Sequence, residues 1–269
     1  MRSVQPAVPT ALAVLVSLLA LAATPPRLAA QTVPADIAAG DAARCQRNSE
    51  QALADFRAAL ALDSTNYEAN WKAARELTDI GKLMTAKNQR KQRDSVYAEA
   101  LALAQRAVRA DSMGADGHYM VAVAIGRVAL TKSAGERVKS ARVVRDEALR
   151  AIALDSAHDG ALHVMGRWNA EIMRLPGITK FFARTFLGAS IFNKASWRNA
   201  NLYFREAIHD NPENIYHHMD FAEALVDEDS FALARPQLDS VIALPLGCDP
   251  GDSTYKVDAQ ALLQKISRR

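Results

Sequence analysis

Residues 197–212 read W-R-N-A-N-L-Y-F-R-E-A-I-H-D-N-P. Ala200, Phe204 and Ala207 precede Pro212 by 12, 8 and 5 positions. On an α-helix those three share one face, and small residues at that spacing let a second helix come close. The same count taken back from Ser64, Ser112 and Ser156 meets Ala52, Phe56, Ala59, then Ala100, Ala104, Ala107, then Val144, Ala148, Ala151. Each series runs into a turn former: L-D-S at 62–64, A-D-S at 110–112, L-D-S at 154–156 and D-N-P at 210–212. One helix-and-turn unit is therefore written four times.

Beyond each turn a second small, apolar stripe begins: Ala73, Ala74 and Leu77; Val121, Ala122 and Ile125; Met165 and Gly166; Phe221, Ala222 and Leu225. Ala39, Gly40 and Ala43 place one more such helix ahead of the first turn. Paired helices at this spacing, with the A-x3-F-x2-A-x4-P pattern in the second, are the mark of tetratricopeptide repeats. The sequence predicts an all-α helical-repeat solenoid of about five helix pairs: 33–66, 67–114, 115–158, 159–214 and 215–248. A polar-backed helix over 255–267 reads as the cap such arrays need. The middle three units exceed the usual ~34 residues, always between their two helices. Longer helices over 93–110 and 135–154 absorb part of the excess. In the fourth unit an insert, 176–195, holds half of the chain's phenylalanines (Phe181, Phe182, Phe186, Phe192), and no acid occurs between Glu171 and Glu206.

The first 30 residues read as a leader. Arg2 is followed by an apolar run over 11–23 broken only by Ser17, then Pro25-Pro26, with Leu28-Ala29-Ala30 as a cleavage site before Gln31. About 13 apolar residues fall short of the ~20 that a spanning helix needs. The reading is a signal peptide over 1–30 and a single solenoid domain over 31–269, periplasmic or secreted, with no integral span after processing. Loss of Arg2 and Arg27 takes the formal charge from +3 to +1, which is no footprint for nucleic acid. The two cysteines, Cys45 and Cys248, stand at opposite ends of the array. A bridge needs Cα atoms within about 7 Å, which an open solenoid forbids, so the expectation is that they stay apart.

N-W-K-A-A-R-E (70–76), A-L-H-V-M-G-R-W (161–168), L-P-G-I-T-K-F-F-A-R-T-F-L-G (175–188) and the helix carrying Ala200 and Phe204 together resemble the regulator of microtubule dynamics family. The resemblance covers roughly 40–250. It implies a tetratricopeptide array used for binding; some members act near microtubules or spindle poles, and one at organelle contact sites with phospholipid binding. A leader for export sets this chain apart, and tubulin is not the partner expected.

In such arrays the first helix of each pair faces a concave groove. Aromatic groups recur there at one level, Trp71, Tyr119 and His163, with Tyr216 in the last repeat and with Arg75, Arg127 and Arg167 alongside. Arginine binds carboxylate or phosphate in bidentate fashion, so one reading is a clamp for an acidic peptide or an anionic head group. The other is that these arginines pair with Glu68, Glu76, Asp79, Asp116 and Glu171 on adjacent turns. The insert either covers an edge of its own repeat or lies as a lid over an apolar ligand. Trp168, beside Gly166, reads as core. No H-E-x-x-H, G-x-S-x-G, phosphate loop or dinucleotide glycine pattern occurs, and the six histidines lack metal-ligand spacing. The expectation is a non-catalytic scaffold with no cofactor and no metal, holding a peptide or protein segment in its groove. The alternatives are a lipid, acyl chain or anionic small molecule under the insert, or the groove filled by a second copy.

Overall fold

The structure, a computed structural model, describes residues 32–129, 132–176 and 190–268. The expected leader and insert residues Phe181, Phe182 and Phe186 lie outside the described residues. Among the described residues eleven helices follow one another: α1 (Val33–Cys45), α2 (Ser49–Leu62), α3 (Tyr67–Leu83), α4 (Arg90–Ala110), α5 (Ala115–Ala129), α6 (Ala134–Leu154), α7 (Asp159–Arg174), α8 (Trp197–Asp210), α9 (Ile215–Asp227), α10 (Phe231–Ala243) and α11 (Asp252–Ile266). Short 3-10 turns at Lys87–Gln89 and Ser190–Lys194 precede α4 and α8. No strand occurs among the described residues. Five helix pairs and a terminal helix are what the repeat spacing predicts, and α4 and α6 are lengthened to 21 residues each.

Local chemistry sets the boundaries. Asp63, Asp111 and Asp155 end α2, α4 and α6, and their carboxylates accept the backbone N–H two residues on, from Thr65, Met113 and Ala157 at 2.8–3.1 Å. The recurrent Asp-Ser thus closes one helix and turns the chain toward the next. Side-chain N-caps then open the helices: Asn48, Asn66, Ser196 and Asn214, with Ser133 and Glu136 forming a capping box on α6.

The small positions are the packing seam. Ala52, Ala59, Ala73, Ala74, Ala100, Ala104, Ala148, Ala200 and Ala222 are wholly buried. At two pairs a glycine on the first helix receives a phenylalanine of the second. A Cβ at Gly40 would stand 2.5 Å from the Phe56 ring, and one at Gly166 would stand 2.8 Å from Phe204. Trp168 is core, 6% exposed, and its indole Nε1 donates to the Ala141 carbonyl at 2.8 Å. Phe192, the one insert phenylalanine that is described, is buried in the same cluster. The terminal helix α11 covers α10 and α9 with Ala259 and Ile266.

The expectation for the cysteines is overturned. Cys45, at the end of α1, and Cys248, between α10 and α11, lie with Cα atoms 4.1 Å apart and form a disulfide. An open solenoid would hold these residues far apart. Here five helix pairs turn far enough that the segment after α10 returns to the end of α1. Arg47 also donates to the Gly247 carbonyl across this seam, at 3.2 Å.

Candidate functional site

The inward-facing helices of the array, α3, α5, α7 and α9, together with residues 249–258, enclose a cavity of about 490 Å3. That is within the range of small-ligand and peptide-anchor pockets. Lys82 and Asp79 come from α3, Arg127 from the last turn of α5, and Arg167 from α7. Tyr216, Met219, Asp220 and Glu223 come from successive turns of α9. The closing wall is Asp249, Pro250 and Gly251, then Tyr255 and Asp258 of α11.

Of the groove residues expected from sequence, Arg127, Arg167 and Tyr216 line this cavity. Trp71, Arg75, Tyr119 and His163 are not in its lining. Arg75 sits with its guanidinium 5.1 Å above the Trp71 ring and its Nε 3.0 Å from Glu76. Tyr119 tilts against His158, ring centres 4.9 Å apart. His163 is 4% exposed, under Tyr216 and Phe204. Insert residues Phe181, Phe182 and Phe186 lie outside the described residues.

The cations of the cavity differ in what they already hold. Lys82 lies 2.7 Å from Asp79, which also accepts from Arg44 at 2.8 Å. Burial alone would lower the Lys82 ammonium, but Asp79 and then Asp249 outweigh it and raise its pKa well above the usual lysine range. Arg167 is 3.0 Å from Asp220 and 3.5 Å from Glu171, and donates to the Tyr216 hydroxyl. Asp220, Tyr216 and Glu171 hold the guanidinium well above its ordinary pKa. Arg127 makes no ion pair among the described residues, although its charge helps to lower the Asp220 carboxyl. On the acidic side, burial and the nearby Asp220 carboxylate push Glu223 up to about 7, although its outer edge is open to solvent.

Beneath the cavity floor runs a buried chain of ionisable groups. Asp220 is 3.0 Å from His163 Nε2; His163 Nδ1 is 2.9 Å from His217 Nδ1; His217 Nε2 is 2.9 Å from Asp159. His217 is hydrogen-bonded to the Asp159 carboxylate and to His163, whereas His163 Nε2 meets Asp220 by distance alone, without hydrogen-bond geometry. Burial, aided by His217 and Arg167, brings His163 down to about 4 against the pull of Asp220. Asp220 itself, although buried, is held below the usual carboxylate range by Arg167 and His163. This network locks α7 to α9 and fixes where Arg167 and Tyr216 stand. Among the described residues no cluster of His, Cys, Asp and Glu is disposed to hold a metal ion.

Lys82, Asp220, Asp249, Tyr255 and Asp258 are among the cavity residues that sequence reading misses. Lys82 is one turn beyond Asp79 on the same face and was open to the groove count. Asp249 belongs to the joint ahead of the cap, and Tyr255 and Asp258 to the cap; only the return of the chain brings them here.

Residues 36–267 match the model of one protein family, Regulator of microtubule dynamics protein 1-3. The chain belongs to this family. A curated member, Regulator of microtubule dynamics protein 1 of Bos taurus, is 25% identical over 154 residues, 57% of this chain and 47% of that protein. The chain thus matches about half the length of that relative. Among solved structures, a thermophilic TPR protein of Thermus thermophilus superposes with a TM-score of 0.61 at 15% identity, covering 86% of this chain and 99% of that one. That likeness shows the tetratricopeptide-type fold. Family and fold are those of helical-repeat scaffolds, and no helix among the described residues is long and apolar enough to cross a membrane.

Proposed function

We propose that this family member is a non-catalytic scaffold, acting after export, that binds a peptide or protein segment in the cavity of its concave face. The observation that carries this is the state of the cavity's charges. Lys82 and Arg167 are neutralised by Asp79 and Asp220, whereas Arg127 has no ion-pair partner among the described residues. A guanidinium in a walled space gives charge-assisted hydrogen bonds to a carboxylate or a backbone carbonyl. Glu223 and Asp258 supply acceptors for N–H groups, and Tyr216, Tyr255 and Met219 supply apolar surface. A peptide offers all three kinds of partner. A lining so rich in charge suits an acyl chain poorly, which favours the peptide reading over the lipid one.

The test is selection of phage-displayed heptapeptides on the full mature chain, followed by fluorescence titration of the selected sequences. Arg127→Ala is expected to weaken their binding by about tenfold or more, as loss of a hydrogen bond to a charged group does. Peptides that bind the Arg127→Ala protein as well as the wild type would show that they do not use the cavity, and the assignment would fall.

A further inference from the structure

The cavity exists because residues 247–258 close the open side of the array. On its own side that wall is held by Tyr255 stacked on Tyr216 and by Lys256 donating to the Ile242 and Leu244 carbonyls; toward the first helices of the array it is held only along a narrow seam. The apolar clusters stop on either side of it: one belongs to α1–α5, another to α7–α11 with the chain's last buried residue at Ile266. Helix packing runs between neighbours along the array. Across the seam stand one hydrogen bond, Arg47 to the Gly247 carbonyl at 3.2 Å, one long ion pair, Lys82 to Asp249 at 3.9 Å, the Lys82 ammonium 5.1 Å from the centre of the Tyr216 ring, and the Cys45–Cys248 disulfide. The hydrogen bond is exposed, and the ion pair is long at 3.9 Å, so each is worth little. The residue after Cys248 is already cavity wall, and Lys82, the other end of the ion pair, lines the same space.

We infer that the Cys45–Cys248 disulfide is the latch of the ligand cavity, so that its reduction parts the two ends of the array and opens the site. The inference rests on the cavity being the binding site and adds how access to it is controlled. The chemistry is a thiol–disulfide exchange. A dithiol reductant attacks one sulfur of the bond and the Cys45–Cys248 bond breaks. Its second thiol then resolves the mixed disulfide, leaving two protein thiols and an oxidised reductant, two electrons and two protons having passed. Cys45 is exposed and Cys248 half-buried, so a reductant reaches the bond without unfolding the array. Neither helix at the joint depends on it: α1 remains packed on α2, and α11 on α10. Opening therefore separates the ends and leaves the repeats folded.

The test places a reporter inside the cavity. Met219, 4% exposed on α9, is replaced (Met219→Cys) in the otherwise wild-type, disulfide-bonded protein and in the Cys45→Ser/Cys248→Ser background. The rate at which a charged maleimide modifies the introduced thiol is then measured, with amide hydrogen exchange of both proteins without the reporter as a second measure. A rise of tenfold or more in the labelling rate, with faster exchange confined to 244–258 and an unchanged helix content, is the expected result. Equal labelling rates and equal exchange would overturn the latch, since the wall would then stand without the bond. Exchange that accelerates across all helices would also overturn it, because the disulfide would then be a staple for the whole fold. Neither readout uses a peptide. If labelling rises but no peptide needs Arg127, the binding assignment fails and the latch stands; if peptides need Arg127 but labelling is equal, the reverse holds.

Discussion

Replacing Arg167 with alanine separates an internal strut from a ligand anchor. Its guanidinium is 3.0 Å from Asp220, a carboxylate on a residue only 7% exposed. Removing one partner of a fully buried ion pair costs about 3–5 kcal/mol, because the other charge is left behind in a poor solvent. Two features reduce the figure here. The Arg167 side chain keeps 35% of its exposure, so solvent already screens part of the attraction, and the Arg127 charge also acts on Asp220. About 2–3 kcal/mol is therefore expected, or a fall in Tm of several degrees for a chain of this size. The assay is thermal and urea unfolding followed by far-UV circular dichroism, with Arg127→Ala as the comparison. That second variant breaks no ion pair among the described residues and should stay within about 0.5 kcal/mol of wild type. Adding Asp220→Asn to Arg167→Ala should restore part of the loss, since the stranded charge is then gone. An Arg167→Ala protein as stable as wild type, or an Arg127→Ala protein equally damaged, would refute the division of labour between the two arginines.

Trp168→Ala empties the centre of the cluster shared with Phe192 and removes the indole hydrogen bond to the Ala141 carbonyl, and should cost about 3–5 kcal/mol in urea unfolding. Gly166→Ala puts a methyl 2.8 Å from the Phe204 ring and should cost about 1–3 kcal/mol, part of it recovered by Phe204→Leu. The folded-state value of about 4 for His163 lies below the ~6.5 of an unfolded histidine. Its contribution to stability is therefore present above pH 6.5 and lost as pH falls toward 4, where the unfolded chain takes up a proton that the folded one refuses. NMR of the His163 ring should show no titration between pH 7.5 and 5.5. Glu223 has the opposite sign: its raised value makes its contribution largest at low pH and lost as pH rises through about 7, so Glu223→Gln should help stability more at pH 8 than at pH 5.

The helix pairs were legible because close helix contact leaves a local trace. Ala52, Phe56 and Ala59, or Ala200, Phe204 and Ala207, must be small or aromatic at fixed spacing if a neighbour is to seat there, whatever the rest of the chain does. The Asp-Ser joints were legible for a similar reason, since each aspartate satisfies a backbone group two residues away. Closure of the array leaves no such trace. It follows from the small rotation added at every helix pair, including those lengthened by α4 and α6, and no short window of sequence carries that sum. Cys45 and Cys248, 203 residues apart, could not be paired without it. The same gap hid Asp249, which lies between the last repeat and the cap, and Tyr255 and Asp258, which read as parts of a cap; all three serve as a wall. The groove arginines show an intermediate case. Their inward register was readable from the repeat, whereas the acids that occupy Arg167 and spare Arg127 depend on which α9 turn comes to rest beside α7.

The cavity depends most on the return of residues 247–258 to the end of α1. That is tested by digesting the full protein without reduction after equilibration in a glutathione redox buffer, with mass spectrometry of the linked peptides. The structure predicts one intramolecular Cys45–Cys248 bond in the monomer. Free thiols at both positions, or a bond found only between two copies, would mean that the ends do not meet and that the cavity they enclose does not form.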